Sequence, residues 1–289
     1  MTLSSEPGPA GPAQLGRVPE SAMQALLMSR YQFRDYLRSQ RFLLMLSIVG
    51  IIAAILSAVV LHYRPSGLID SSTSFYGNLW VEGAGVLIVF AGIIFGGDAI
   101  AGEFQNKTGY FLMGLPIKRW SVYAGKYLAA FLASLLTILV YFVYLVLFAA
   151  YFMGARAISG PLFESLGLAV LYLSALLGFV FLFSSLFKSS LYAVLVVAVL
   201  FLFGFSIIQA LVVGLVHIEP WFLLSYASNL TNSVMAYPFV GVPPHMVTDP
   251  ITGNTSYNPS YAEGIAIIVG YFLWTTIGGL LLFEREEFT

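Results

Sequence analysis

Few side chains in this sequence could do chemistry, and their positions are not random. Lys107, Lys118, Arg119 and Lys126 all fall within residues 102–126, and Asp98 and Glu103 stand at the start of that stretch. Glu82, Asp98, Glu164 and Glu263 flank or enter apolar runs. An ionisable group inside an apolar span is costly and often lines a functional cavity. Each of these acids also lies near a predicted end, where it reaches water, so both roles stay open. His62, His217 and His245 sit in polar segments between runs. His217 with Glu219, and His245 with Asp249, are the candidate metal pairs. They lack ligand spacing on a regular element, and hydrated loop residues are the better reading.

Several chemistries are excluded outright. With no cysteine there is no disulfide, thiolate metal site or cysteine nucleophile. A phosphate-cradling loop needs G-x-x-x-x-G-K-[ST], and the stretch from Gly102 to Thr108 lacks the second glycine. There is no G-x-S-x-G elbow and no H-E-x-x-H pair. The chain is therefore expected not to be an enzyme and to carry no cofactor of its own. No nucleic-acid partner is expected.

The elements that hold these residues follow from composition. Of 289 residues, 59% are hydrophobic and 9% charged, against roughly 25% charged in soluble domains. Such a chain cannot cover a water-facing surface, so it is a polytopic membrane protein. Six apolar runs are long enough to cross about 30 Å of hydrocarbon: 42–61, 80–101, 121–153, 162–187, 191–216 and 263–283. The predicted organisation is all-α: a disordered cytoplasmic tail (1–19), an amphipathic interfacial helix (20–41), a six-helix transmembrane domain (42–283) and a cytoplasmic tail (284–289). The first apolar run begins only near Phe42, so no signal peptide is expected. Gly85, Gly92, Gly96 and Ala99 share one face of the second run, where small residues let helices approach closely.

Arg30, Arg34, Arg38 and Arg41 fall at i, i+4, i+8 and i+11, one stripe of a helix. Leu26, Phe33 and Leu37 form an adjoining apolar stripe. That pattern fits a helix in the headgroup layer, with a solvated extension of the first span as the alternative. Between runs five and six, residues 217–262 form a long outer segment. Its apolar part, 221–230, is too short to cross and is read as re-entrant or interfacial. Five prolines between 238 and 259 then argue against regular structure. Basic residues lie almost entirely on one side of the predicted topology, with only Arg64 and Arg156 on the other. This places both termini in the cytoplasm of a multi-pass protein of the cell membrane. The stretch 102–126 is then a cytoplasmic loop. Leu112 and Leu115, followed by Pro116, suggest a short amphipathic helix presented to a soluble partner.

This arrangement resembles the ABC-2 type permeases, the membrane subunits of type V ABC exporters. The local wording agrees: Asp98, Glu103 and Thr108, then Leu112, Leu115–Pro116–Ile117, Arg119 and Gly125–Lys126. The family often carries a Gly-Thr pair here, and Lys107 stands where its glycine would be. The resemblance implies a coupling helix between spans two and three, seated in a groove of a separate cytoplasmic ABC ATPase. It implies a second permease copy, identical or different, and export driven by ATP and Mg bound in the partner. The docking residues would be Glu103, Lys107, Thr108, Leu112, Leu115, Pro116, Lys118 and Arg119. Glu103 is equally readable as a hydrated loop acid. The alternative function is a non-transporting scaffold or mechanotransmitter that couples the ATPase to an extracytoplasmic protein.

Overall fold

The computed structural model describes residues 20–69, 71–107, 117–237, 245–248 and 255–285. A first helix, α1 (Ser21–Arg38), breaks at Ser39, which then caps α2 (Gln40–Tyr63) by accepting from the Phe42 N–H. The second crossing, α3 (Ser72–Gln105), is followed by α4 (Arg119–Met153), α5 (Gly160–Leu186) and α6 (Ser190–Val216). Two short helices, α7 (Leu224–Ser228) and α8 (Leu230–Ala236), precede the last crossing, α9 (Tyr261–Arg285). Among the described residues, α2, α3, α4, α5, α6 and α9 are the six helices long and apolar enough to span a bilayer. Both ends of the helical bundle that meet the chain termini lie together, here termed the basal end; the opposite end is distal.

The bundle is built around α3. Its apolar window is 67% buried, against 22%, 22% and 17% for α2, α6 and α9. Leu87, Ile88, Ala91 and Phe95 of α3 belong to the buried core, and Phe95 lies against Tyr36 of α1 and Phe42 of α2. The outer helices present Ile51, Ile55, Phe203, Ile207, Trp274 and Ile277 outward. At roughly 25 cal/mol per Å² of apolar area, such a surface is incompatible with water. The protein is a multi-pass membrane protein.

The small-residue face of the second run packs within the chain. A Cβ on Gly92 would meet Leu176 Cδ2 at 2.2 Å, and one on Gly96 would meet Val180 and Leu177 at 3.0 and 3.1 Å. All three neighbours are on α5. Gly85 has open space around it. The helix α3 starts eight residues before the predicted boundary at Trp80. Phe75 and Tyr76 are fully buried, and Phe75 lies 6.0 Å from Phe148 of α4. That packing outweighs the polarity of the preceding segment. The aromatic run of α4 is largely internal: Tyr141 and Phe142 are buried and Tyr144 bonds the Ala53 carbonyl, while Tyr151 faces outward.

The distal segment is more regular than its prolines suggest. Leu224, Tyr226, Ala227, Leu230 and Val234 are buried, so α7 and α8 pack down onto the bundle. Ser165 of α5 donates to the Thr231 carbonyl, and Trp80 donates to Ser165. Beyond them Met246–Thr248 and Thr255–Tyr257 form a short antiparallel hairpin with Met246 opposite Tyr257. It is an exception to the all-α expectation. His245, a candidate metal partner of Asp249, lies 3.1 Å from Glu219, which also accepts from the Tyr226 hydroxyl. Asp249 lies outside the described residues, and no group of three potential metal ligands occurs among the described ones.

Candidate functional site at the base of the loop

The basal end of α3 is not a continuous helix. The regular ladder stops at Gly96, four residues turn, and Ala101–Gln105 resumes. Ala99 N–H reaches back only to Gly96 O, and Glu103 N–H only to Ile100 O. The carbonyls of Phe95 and Ala99 therefore lose their intrahelical donors. Two side chains from other helices replace them. Tyr36 of α1 donates to Phe95 O at 2.8 Å, and Lys126 of α4 donates to Ala99 O at 2.9 Å. The N–H groups of Ile100 and Ala101 both point at Ser184 Oγ of α5, at 3.0 and 3.1 Å. These four groups freed by the break thus find partners, as buried backbone generally does.

The ionised residues gather at the same place. Arg41 at the start of α2 holds Asp98 through both guanidinium nitrogens, at 2.6 and 2.5 Å. The bidentate match of planar fork and carboxylate favours this geometry. Lys126 is 4% exposed, and its ammonium lies 2.5 Å from Glu103 Oε1 as well as on Ala99 O. Burial, reinforced by Asp98, raises the pKa of Tyr36, so its hydroxyl stays a donor. Asp35, Tyr36, Arg41, Asp98, Glu103 and Lys126 share the wall of one polar cavity of about 400 Å³.

Close packing of α1 makes this possible. It runs along the start of α4, where Gly125 leaves no room for a side chain. A Cβ there would meet Met28 Cβ at 2.7 Å and the Ala25 carbonyl at 2.8 Å. Ser121 Oγ donates to the Ser21 carbonyl, and the Lys118 N–H reaches Gln24 Oε1. Arg119 donates to the Glu284 carbonyl at 2.7 Å, in the last turn of α9. A cation there also complements the negative end of the helix dipole. Gln105 accepts from the Ser190 N–H that opens α6. Both ends of the loop are therefore fastened to the bundle.

The sequence-expected site residues divide accordingly. Glu103 and Arg119 are engaged inside the chain. Arg41 belongs to an ion pair as well as to the arginine stripe. Arg30, Arg34 and Arg38 are exposed along α1. Lys107 ends the short basal helix with φ of 57°, a left-handed conformation that favours glycine. That is a physical reason for a glycine at this position in the resembling pattern. Thr108, Leu112, Leu115 and Pro116 lie outside the described residues. Tyr36, Ser184 and Gln24 carried no signal in the sequence.

The chain matches the ABC-2 family transporter proteins over residues 28–288. It belongs to that family. The match opens at Met28, on the face of α1 that closes over Gly125. Members of this family are the membrane component rather than the ATPase, and work with ABC ATPase subunits. With its six apolar helices the chain is thus a permease of an ABC transporter. No curated protein matches it.

Replacing Ser184 by Ala tests the repair of the helix break. Two buried N–H groups would lose their acceptor, at about 1–3 kcal/mol for an unsatisfied group. The expected result is a clear fall in the melting temperature of the detergent-solubilised chain. An unchanged melting curve would mean that the break is satisfied without Ser184.

Proposed function

We propose that this permease is an exporter subunit of the cell membrane, with both termini cytoplasmic. A separate ABC ATPase seats on the loop between residues 102 and 119, binds ATP and Mg, and drives the helices through it. A second permease copy completes the pathway. In this reading α1 lies in the headgroup layer, with Arg30, Arg34 and Arg38 beside lipid phosphates.

The observation that carries the reading is the double fastening of the loop. Its first end is held by Glu103 on Lys126, and its second by Arg119 on α9 and Lys118 on α1. A push on the intervening residues is transmitted to α1, α3, α4 and α9 together. A hydrated loop with loose ends could not do this. Glu103 and Arg119 then act by holding the loop, and contact with the ATPase falls to Leu112, Leu115 and their neighbours.

The test is a mild-detergent pull-down of the tagged chain from its host, followed by mass spectrometry. A stoichiometric soluble ATPase is expected. It should be lost when Leu112 and Leu115 are both replaced by Glu, with the chain's melting curve unchanged. A wild-type chain that comes out alone, where other membrane complexes survive, would overturn the reading. An additional stoichiometric distal-side protein, without transport, would favour the mechanotransmitter role.

A further inference from the structure

Glu82 was expected near the end of a span. Because α3 begins at Ser72, it stands ten residues inside the helix, about 15 Å along the axis at ~1.5 Å per residue. Its neighbours lie at matching depth. The Leu79 carbonyl accepts from Tyr141, twelve residues before the end of α4 at Met153. Glu82 is exposed in the single chain and makes no hydrogen bond or ion pair with the described residues. An ionisable residue set within a membrane-spanning helix and facing a cavity is a candidate for a functional role.

What Glu82 faces is a cavity of about 390 Å³ between α3, α5, α6 and the buried distal helices. That size lies within the ~300–1,000 Å³ of small-molecule sites. Two kinds of surface line it. Val86, Val89, Phe201 and Leu202 supply an apolar wall. Ser206, Ser228, Asn229 and Asn232 supply hydroxyls and amides beside the carboxylate. The lining holds no Lys, Arg or His. Both long walls are locally widened. A π turn at Gly77–Val81 ends directly before Glu82, and another at Leu200–Gly204 carries Phe201 and Leu202. Such turns are rare and concentrate at functional sites. Among the described residues the distal half also carries Glu164, Glu219 and Glu263 against Arg64 and Arg156, an acidic balance that attracts cations to this end of the bundle.

We propose that this cavity binds an amphipathic organic cation, with Glu82 as its counter-ion and the Phe201–Leu202 wall against its apolar body. An ionised carboxylate only accepts hydrogen bonds, and among the described residues no Lys, Arg or His lines the cavity beside it. A ligand that pairs with Glu82 brings the positive charge. That such a ligand is transport cargo rests on the permease reading above; that it binds does not.

The experiment uses the full chain in nanodiscs at low ionic strength, with empty nanodiscs as the partition control. Two fluorescent probes are compared by polarisation: a dansyl-tagged alkyl trimethylammonium, and the same molecule with a neutral tert-butyl head. The wild type is expected to prefer the ammonium by at least roughly tenfold, the factor that ~1.4 kcal/mol gives. Glu82→Gln should remove the preference while leaving the neutral probe's affinity and the melting curve unchanged. Glu82→Asp should retain part of it. Equal binding of both probes by the wild type would overturn the proposal, as would an undiminished preference in Glu82→Gln. Charge-blind binding that varies with pH only in the wild type would also overturn it, assigning Glu82 to proton carriage. Loss of the ATPase in the pull-down would strike the permease reading and leave this result standing.

Discussion

Replacing Lys126 by Met is expected to destabilise the permease more than any other single change at the basal end. Met keeps most of the side-chain volume and removes only the ammonium. That group is buried and serves two acceptors, the Ala99 carbonyl freed by the helix break and the Glu103 carboxylate. Removing one partner of a buried pair typically costs about 3–5 kcal/mol, because the other charge is left stranded. The Glu103 side chain is 17% exposed and can recover some hydration, so an effect near ~3 kcal/mol, the lower bound for buried pairs, is expected. Thermal unfolding of the purified chain measures it, as a fall of several degrees. The pair also makes a sharper demand. Adding Glu103→Gln removes the stranded charge, so the double variant should be more stable than Lys126→Met alone. Additive losses would show that the two residues do not act as a pair. Under the docking proposed above, through Leu112 and Leu115, the Lys126→Met variant of the assembled transporter should keep its ATPase while transport falls.

These partnerships explain what could be read in the chain and what could not. The spans were legible because an apolar run of twenty residues has few alternatives in water or lipid. Gly92 and Gly96 announced a close helix contact, yet nothing in their spacing said that Leu176, Leu177 and Val180 would fill it. Gly125–Lys126 was visible as a pattern without a cause. The cause is tertiary: one residue admits α1, and the next mends a helix break whose other menders, Tyr36 and Ser184, sit 59 and 84 residues from their backbone partners. Asp98 meets an arginine 57 residues away. Periodicity carries no information at such separations. The start of α3 was misplaced for a related reason. Local polarity around Arg64 and Asp70 argued for a loop, whereas burial of Phe75 and Tyr76 against α4 extends the helix. That shift of eight residues is what moves Glu82 from a water-reachable end to the middle of a wall.

Gly125→Ala is the second large effect, and it isolates α1 from the ion pairs. The added methyl would lie 2.7 Å from Met28 Cβ and 2.8 Å from the Ala25 carbonyl. These are not the tips of flexible side chains but the helix itself, so α1 must move as a body. Overpacking of this kind costs about 1–3 kcal/mol. Motion of α1 also carries Tyr36 off the Phe95 carbonyl and Ser21 off Ser121. The chain has no native cysteine, which makes the displacement directly measurable. Ser29 is 4% exposed on the packed face of α1, so a lone cysteine introduced there should resist maleimide in the parent and react severalfold faster in the Gly125→Ala background. A control cysteine at Arg30, already exposed, should react alike in both. Unchanged protection at position 29 would mean that α1 accommodates the methyl in place, and that the glycine is not what admits it. Increased reactivity with an unchanged melting temperature would separate docking of α1 from stability of the bundle. The basal junction would then be a joint that can open while the six spans stay folded, which is the mechanical property that a loop driven from below requires.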